Sequence, residues 1–283
     1  MQPYIELNSS KTEFIIKKNF YQLDIKYLQK ELFDDKGYLI INNFISKDDA
    51  IFIRDLVFKN RNCFKRESGG GNHRLFMYPN GPYSYPVIFN QLYDYISILK
   101  NIIYSSHKFY IDYCSSIGVE LHDVYTVLKY QKLHTWSCFY WYKNKESHFK
   151  HIDHYGELAV FLILSKLRED YMGGGLFIDK NNQPIYLDKF YEYGDLVFFD
   201  QASYYHEVKS ISTERNQNGR LQFYVPTIPY GYMKTYLRFE DYPFKQFCSE
   251  KLNAYQKVSK FLGALSDNDI HYSRQNYFKH FKL

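Results

Sequence analysis

The sequence predicts a mainly β fold with flanking helices: a double-stranded β-helix, or jelly roll, with N-terminal helices packed on one face. Three observations lead to this expectation. From about residue 124 the texture becomes short β-branched and aromatic runs punctuated by Gly, Asn and Asp, the pattern of many short strands. Helical periodicity precedes these runs, and strands preceded by helices point to a β layer with helices segregated to one face. No internal repeat, low-complexity tract or linker interrupts the chain. The reading is therefore one domain over 1–283, with a mainly helical N-terminal part at 1–123, a lid loop near 66–86, a jelly-roll core at 124–230 and a C-terminal extension at 231–283.

Each element has its own signal. In DIKYLQKELFDDKG, Ile25, Leu28 and Leu32 recur at helical spacing and Gly37 stops the run. GYLIINNFI reads as a short strand. Ser46 then caps a helix whose first turn carries Asp48 and Asp49, where acids favour the open N–H groups, and AIFIRDLVFKN continues its apolar face. Residues 24–62 thus read as helical with one interruption. The Gly-, Asn- and Pro-rich stretch 66–86 reads as a loop, and a further helix covers roughly 87–106. Eight strand-like runs come after it: YTVLKYQKL, SCFYWYK, LAVFLILS, GLFID, QPIYLD, DLVFFD, HEVKSI and RLQFYVPTI. Gly173 to Gly175 read as a tight turn before GLFID. The tail from Pro243 to Leu262 reads as helical.

Composition narrows the function classes. Hydrophobic residues make up 45% and charged residues 24% of the 283, ordinary for a soluble chain able to bury a sizeable core. Aromatics reach 20%, but Lys, Asn, Ile and Tyr are abundant together, so compositional bias explains part of this. The net charge of +5 is interspersed, without a long run of like charges, which argues against nucleic-acid binding. The apolar stretch near Leu158 to Leu164 is too short to span a bilayer. MQPYIELNSSK lacks a basic segment followed by an apolar core. Cys63, Cys114, Cys138 and Cys248 show no CxxC or zinc-like spacing and read as reduced thiols. The expectation is a cytoplasmic protein with neither a nucleic-acid nor a membrane partner; oligomeric state stays open.

Chemistry concentrates in HFKHIDHYGELAVFLILS. On an extended segment, side chains at i and i+2 share a side, so His151 and Asp153 converge. A third ligand must come from a distant strand, and His206, 53 residues beyond Asp153, fits. Two imidazoles and one carboxylate on one face of an octahedron leave three open positions, the ligand set of ferrous iron in oxygenases. An HxD on a strand also occurs by chance, so the segments downstream of it bear on the choice.

In order stand Gly173-Gly174-Gly175-Leu176-Phe177-Ile178, Gly194-Asp195-Leu196-Val197-Phe198-Phe199-Asp200, His206-Glu207-Val208 and Gly219-Arg220. With His151-Ile152-Asp153, this string resembles the Fe(II)/2-oxoglutarate oxygenase superfamily, especially its prolyl-hydroxylase and phytanoyl-CoA hydroxylase branches. KGYLIINNFISKDDAIFIRDLV resembles the phytanoyl-CoA hydroxylase opening, so the resemblance spans roughly 24 to 230. It implies a cupin-like jelly roll, Fe(II) on His151, Asp153 and His206, 2-oxoglutarate as cosubstrate, and O2. It implies a dioxygenase that hydroxylates an unactivated C–H bond and releases succinate and CO2. An intact carboxylate at Asp153 argues for hydroxylation, desaturation or cyclisation, because related halogenases carry a small residue there. The expected substrate is a small molecule, an amino-acid derivative or a specialised metabolite of biosynthesis. A residue of a protein or peptide, and a non-catalytic jelly-roll binding module, are the alternatives.

The C5 carboxylate of 2-oxoglutarate suits a guanidinium fork. Arg220, fourteen residues after His206, aligns with the family's basic residue and is preferred over Arg215, which sits in the polar turn TERNQNG. Gln222 stands where many members place Ser. Tyr142, nine residues before His151, holds the place of a family tyrosine and is a candidate phenol donor to the same carboxylate. Arg74, in the glycine-rich stretch, is a candidate clamp on substrate if that stretch closes over the iron. His148 and His154 flank the ligands and read as surface or supporting residues; His134, Asp195 and Asp200 read as strand and turn residues.

Overall fold

The computed structural model describes residues 2–66, 71–77, 86–104, 137–152, 158–201 and 203–225. Asp153, His134, His154, the run YTVLKYQKL and the expected helix at Pro243 to Leu262 lie outside them.

The chain opens with a hairpin of β1 (Ile5–Leu7) and β2 (Phe14–Ile16). Helix α1 (Ile25–Gln29) runs into a π-helical segment, Lys30–Asp35, and ends before Gly37, whose φ of 78° only glycine adopts freely. Strand β3 (Tyr38–Ile41) is next, then α2 (Lys47–Lys59). Ser46 caps α2 as expected, accepting from the Asp49 N–H at 3.0 Å. Asp49 in turn accepts from the Leu7 N–H at 3.0 Å and pairs with Lys11, fixing the hairpin to the helix.

The stretch expected to be a loop is partly sheet. β4 (Lys65–Arg66) and β5 (His73–Met77) are strands, and β5 pairs in register with β6 (Ser137–Tyr142) along its length. Glycines and prolines on either side of HRLFM masked its alternation, in which Leu75 is buried outward while Arg74 points inward. Helix α3 (Val87–Tyr104) ends close to the expected position. β3, an expected strand, and β4 and β5, at the start of and inside the expected loop, all join the main sheet.

The remaining strands are β7 (His148–His151), β8 (Ala159–Ile163), β9 (Gly173–Lys180), β10 (Gln183–Tyr186), β11 (Leu196–Phe199), β12 (Tyr205–Ser212) and β13 (Arg220–Tyr224). From β6 onward the chain passes between two sheets. β6, β8, β11 and β13 lie in a seven-stranded sheet of order β3-β11-β8-β13-β6-β5-β4, and β7, β9, β10 and β12 in a four-stranded one of order β10-β9-β12-β7. First pairs with last (β6 with β13), second with seventh (β7 with β12), third with sixth (β8 with β11) and fourth with fifth (β9 with β10), all antiparallel. That nesting is the double-stranded β-helix.

The two sheets differ as their sequences do. Every residue of β6, β8, β11 and β13 is buried, because one face lines the barrel and the other is covered. Phe58 of α2 meets Trp141 edge-on with centroids 5.3 Å apart, and Phe89 of α3 meets Phe139 at 5.0 Å. Phe139 and Trp141 thus face the helices, and Tyr140 and Tyr142 face the barrel. β12 instead alternates, with His206, Val208 and Ile211 buried and Tyr205 and Lys209 exposed, as expected of a sheet solvated on one face.

Gly173 to Gly175 are strand residues, not the expected turn. The register against β12 shifts beside them, between Lys209 and Ser212. Gly175 has φ 112°, and a Cβ there would stand 2.2 Å from an Asp188 carboxylate oxygen.

Candidate active site

β7 and β12 bring His151 and His206 directly opposite each other. Their ring centroids are 4.2 Å apart. Each ring is set by the same local device. His151 Nδ1 lies 2.8 Å from the Phe149 carbonyl and His206 Nδ1 3.2 Å from the Tyr204 carbonyl. A carbonyl only accepts, so each Nδ1 carries the proton and each Nε2 the lone pair, the tautomer a metal ligand needs. Phe199 packs edge-on against His206 with centroids 5.1 Å apart, and His206 is buried.

The pairing shifts between His206 and Val208, which stand opposite His151 and His148, so β7 carries one extra residue. This bulge undoes simple alternation. His148, three residues before His151, turns to the same side, with ring centroids 4.7 Å apart.

Among the described residues no three His, Cys, Asp or Glu side chains form a metal-binding group. The two imidazoles form the described part of the expected triad. Their nitrogen donors suit iron, as they suit zinc, copper or nickel.

The histidines border a cleft in the barrel interior, whose opposite wall is built from β5, β6 and β13 by Arg74, Tyr140, Tyr142, Gln222 and Tyr224. The Arg74 guanidinium lies 4.6 Å from the Tyr140 ring centroid, and its Nε donates to Asn72 Oδ1 at 3.2 Å. Asn72 Nδ2 donates to the Tyr142 hydroxyl at 3.2 Å. Burial raises the Tyr140 phenol pKa well above its ordinary value, with Arg74 opposing. A larger open groove, about 750 Å³, runs along the outer face of the four-stranded sheet past Phe149, Phe177 and Lys209. It does not include His151 or His206.

Arg220 faces inward, beyond Gln222 from the histidines, and does not line the cleft. It is 1% exposed, and its Nε and Nη2 donate to the two Asp188 oxygens at 2.8 and 3.3 Å. Nη2 also donates to the Tyr191 hydroxyl at 3.1 Å, while Nη1 is buried without a partner. Asp188 lies just after β10 and is fully enclosed; it also accepts from the Tyr171 hydroxyl and from the Leu176 N–H. Burial works against the Arg220 charge, but Asp188 overrides it and holds the guanidinium pKa well above its usual value. Arg215 is exposed in the turn between β12 and β13.

Asp195 and Asp200 serve turns, Asp195 accepting from the Asn43 N–H at 2.7 Å and Asp200 from the Ser203 N–H at 3.1 Å. Sequence reading missed Asp188, Asn72 and Tyr140. Only the inward alternation of SCFYWY, shared with Tyr142, could have flagged Tyr140.

No family model matches the chain, and no curated protein is similar to it. Solved structures are. A Pseudomonas putida prolyl-4-hydroxylase is 15% identical, with TM-score 0.46, over 71% of this chain and 97% of that one. A 2OG-Fe(II) oxygenase family oxidoreductase from Burkholderia pseudomallei is 12% identical, with TM-score 0.41, over 73% and 92%. HygX from Streptomyces hygroscopicus, solved with nickel, 2-oxoglutarate and hygromycin B bound, is 12% identical, with TM-score 0.41, over 70% and 85%. These similarities assign no residue of this chain. No described helix is long and apolar enough to cross a membrane.

Proposed function

We propose that this chain is an Fe(II)- and 2-oxoglutarate-dependent dioxygenase that hydroxylates a C–H bond of a small molecule. The observation behind this reading is the facing pair His151 and His206, each with Nδ1 held by a carbonyl, at the border of an interior cleft. Asp153, two residues after His151, is the third ligand in this reading. When bound, the iron with 2-oxoglutarate and O2 supplies the oxidation, releasing succinate and CO2.

The chain's own residues orient and exclude. The two carbonyls fix the imidazole planes, and Phe199 holds one ring from behind. Phe161, Phe199 and Tyr224 give the cleft an apolar lining that limits water. Asn72 donates to the Tyr142 oxygen and so fixes that phenol in the cleft wall.

The test begins with anaerobic Fe(II) titration of the full chain, then succinate release under O2 and mass spectrometry of candidate metabolites for a gain of one oxygen. His151→Ala, Asp153→Ala and His206→Ala should each lose iron affinity and turnover while melting cooperatively. Full activity in His206→Ala would overturn the assignment.

A further inference from the structure

The groove on the outer face of the four-stranded sheet has a floor of rings and cations. Phe177 of β9 and Tyr186 of β10 stand opposite each other in register. Their rings stack with centroids 4.4 Å apart and planes within 4°. Lys209 of β12 lies over Phe177, 4.2 Å from its centroid, and Lys189 lies over Tyr186 at 5.3 Å. Each ring gives one face to the other ring and one to an ammonium. The two charges are thus held at opposite ends of the stack before any ligand arrives.

Arg168 brings a third cation to the lining. It is exposed, and its φ of 71° is a left-handed conformation that Gly or Asn adopts at less cost. Among the described residues that line the groove, Glu207 is the one acid, and Lys209 stands 3.8 Å from it. Positive charge therefore dominates the lining. Large apolar side chains lie beside these charges, Phe149 being 62% and Met172 43% exposed.

That combination selects an occupant. The groove is open, so a small anion would keep much of its surface in water, whereas small-molecule sites enclose most of theirs. Nucleic-acid bases need a free ring face to stack on, and both faces of Phe177 and Tyr186 in the floor are taken. A polypeptide with carboxylates set between apolar side chains complements the cations and the exposed Phe149 and Met172 together. We propose that this groove is a docking site for an acidic, apolar-flanked segment of a partner protein. Lys189, Lys209 and Arg168 face its carboxylates. His148, Glu207 and Val208 line both groove and cleft, so the partner is held across one wall from the facing histidines. The proposal stands apart from the dioxygenase reading.

The experiment is fluorescence anisotropy on the full chain with a labelled peptide of alternating Glu and Leu. The comparison probes are the same peptide with Gln for Glu and a labelled oligothymidylate of equal charge. Wild type should bind the Glu peptide, and the Gln peptide roughly 10-fold more weakly. Lys189→Gln with Lys209→Gln should weaken the Glu peptide by roughly 5- to 30-fold, the range of two exposed ion pairs. The melt should not change, because both lysines are exposed. The same change at Lys26 and Lys59, exposed and outside the groove, removes equal charge and should leave the affinity intact. Arg168→Gly should weaken binding without lowering the melting temperature, since glycine suits that φ. Equal loss in the Lys26 and Lys59 variant would overturn the proposal, because net charge alone would then explain the binding. So would tighter binding of the oligothymidylate that the groove variant loses, which would make this a nucleic-acid site. A wild-type dimer that the groove variant turns monomeric in sedimentation would assign the groove to a second copy and overturn it as well. Failure of wild type to bind the Glu peptide would end it.

Discussion

Replacing Arg220 with Met should destabilise the fold by about 3–5 kcal/mol, the usual cost of removing one partner from a buried ion pair. The structure gives the reason. Three hydrogen bonds disappear, two of them to the Asp188 carboxylate, which is 0% exposed. Asp188 would keep neutral donors, among them the Tyr171 hydroxyl and the Leu176 N–H, but would lose its cation. For a domain of this size each kcal/mol moves the melting temperature by roughly 2–4 °C, so a fall of about 6–20 °C is expected.

The assay is urea unfolding and thermal melting monitored by circular dichroism, on wild type, Arg220→Met, Asp188→Asn and the double variant. Removing both charges should cost less than the sum of the single changes, with a coupling of at least about 1.5 kcal/mol. An Arg220→Met protein within about 1 kcal/mol of wild type, or a coupling near zero, would refute the reasoning. The result matters for function too. Lost cosubstrate binding in an Arg220→Ala protein is no evidence for an anchor when the barrel floor has been damaged.

The same geometry sets other outcomes. Gly175→Ala should destabilise by more than about 2 kcal/mol, since it combines a positive φ with a Cβ pressed on Asp188; a melt equal to wild type would contradict this. Ser46→Ala should cost about 1 kcal/mol by removing the α2 cap, and Ser46→Asp should restore most of it in the same melts. Lys100, buried on α3, has its pKa lowered by burial from 10.5 to about 7. The unfolded chain therefore holds more protons between those values, so wild-type stability should rise with pH from about 7 towards 10. Lys100→Met should gain most below pH 7 and lose its advantage as pH rises. A stability difference independent of pH would show that Lys100 titrates normally.

Sequence legibility tracked how local each cause was. The caps and stops were legible because they act within four residues, as at Ser46 and Gly37. The four doubly buried strands were legible because they are rich in aromatic and aliphatic residues, and the facing histidines because strand periodicity and a return strand suffice to place them. β5 was not, since the Gly and Pro around HRLFM argued for a loop and only pairing with β6 makes it a strand. The side that His148 shows was not legible either, because a single extra residue in β7 reverses it, and a bulge leaves no mark in its own sequence.

Asp188 is the instructive case. In QPIYLDKFYEYG it reads as an acid at the end of a strand, and nothing nearby asks for a cation. Its partner arrives 32 residues later, on the central strand of the other sheet. Gly175, thirteen residues earlier, leaves the space in which the carboxylate sits. A motif can say that an arginine opens the last barrel strand, but not whether the fold has already given that arginine a counterion. Only the counterion tells whether the arginine brings a charge to the cleft or only one N–H. Here the fold gives Arg220 its carboxylate inside the wall, so the charge that the motif promises is already balanced before any ligand arrives.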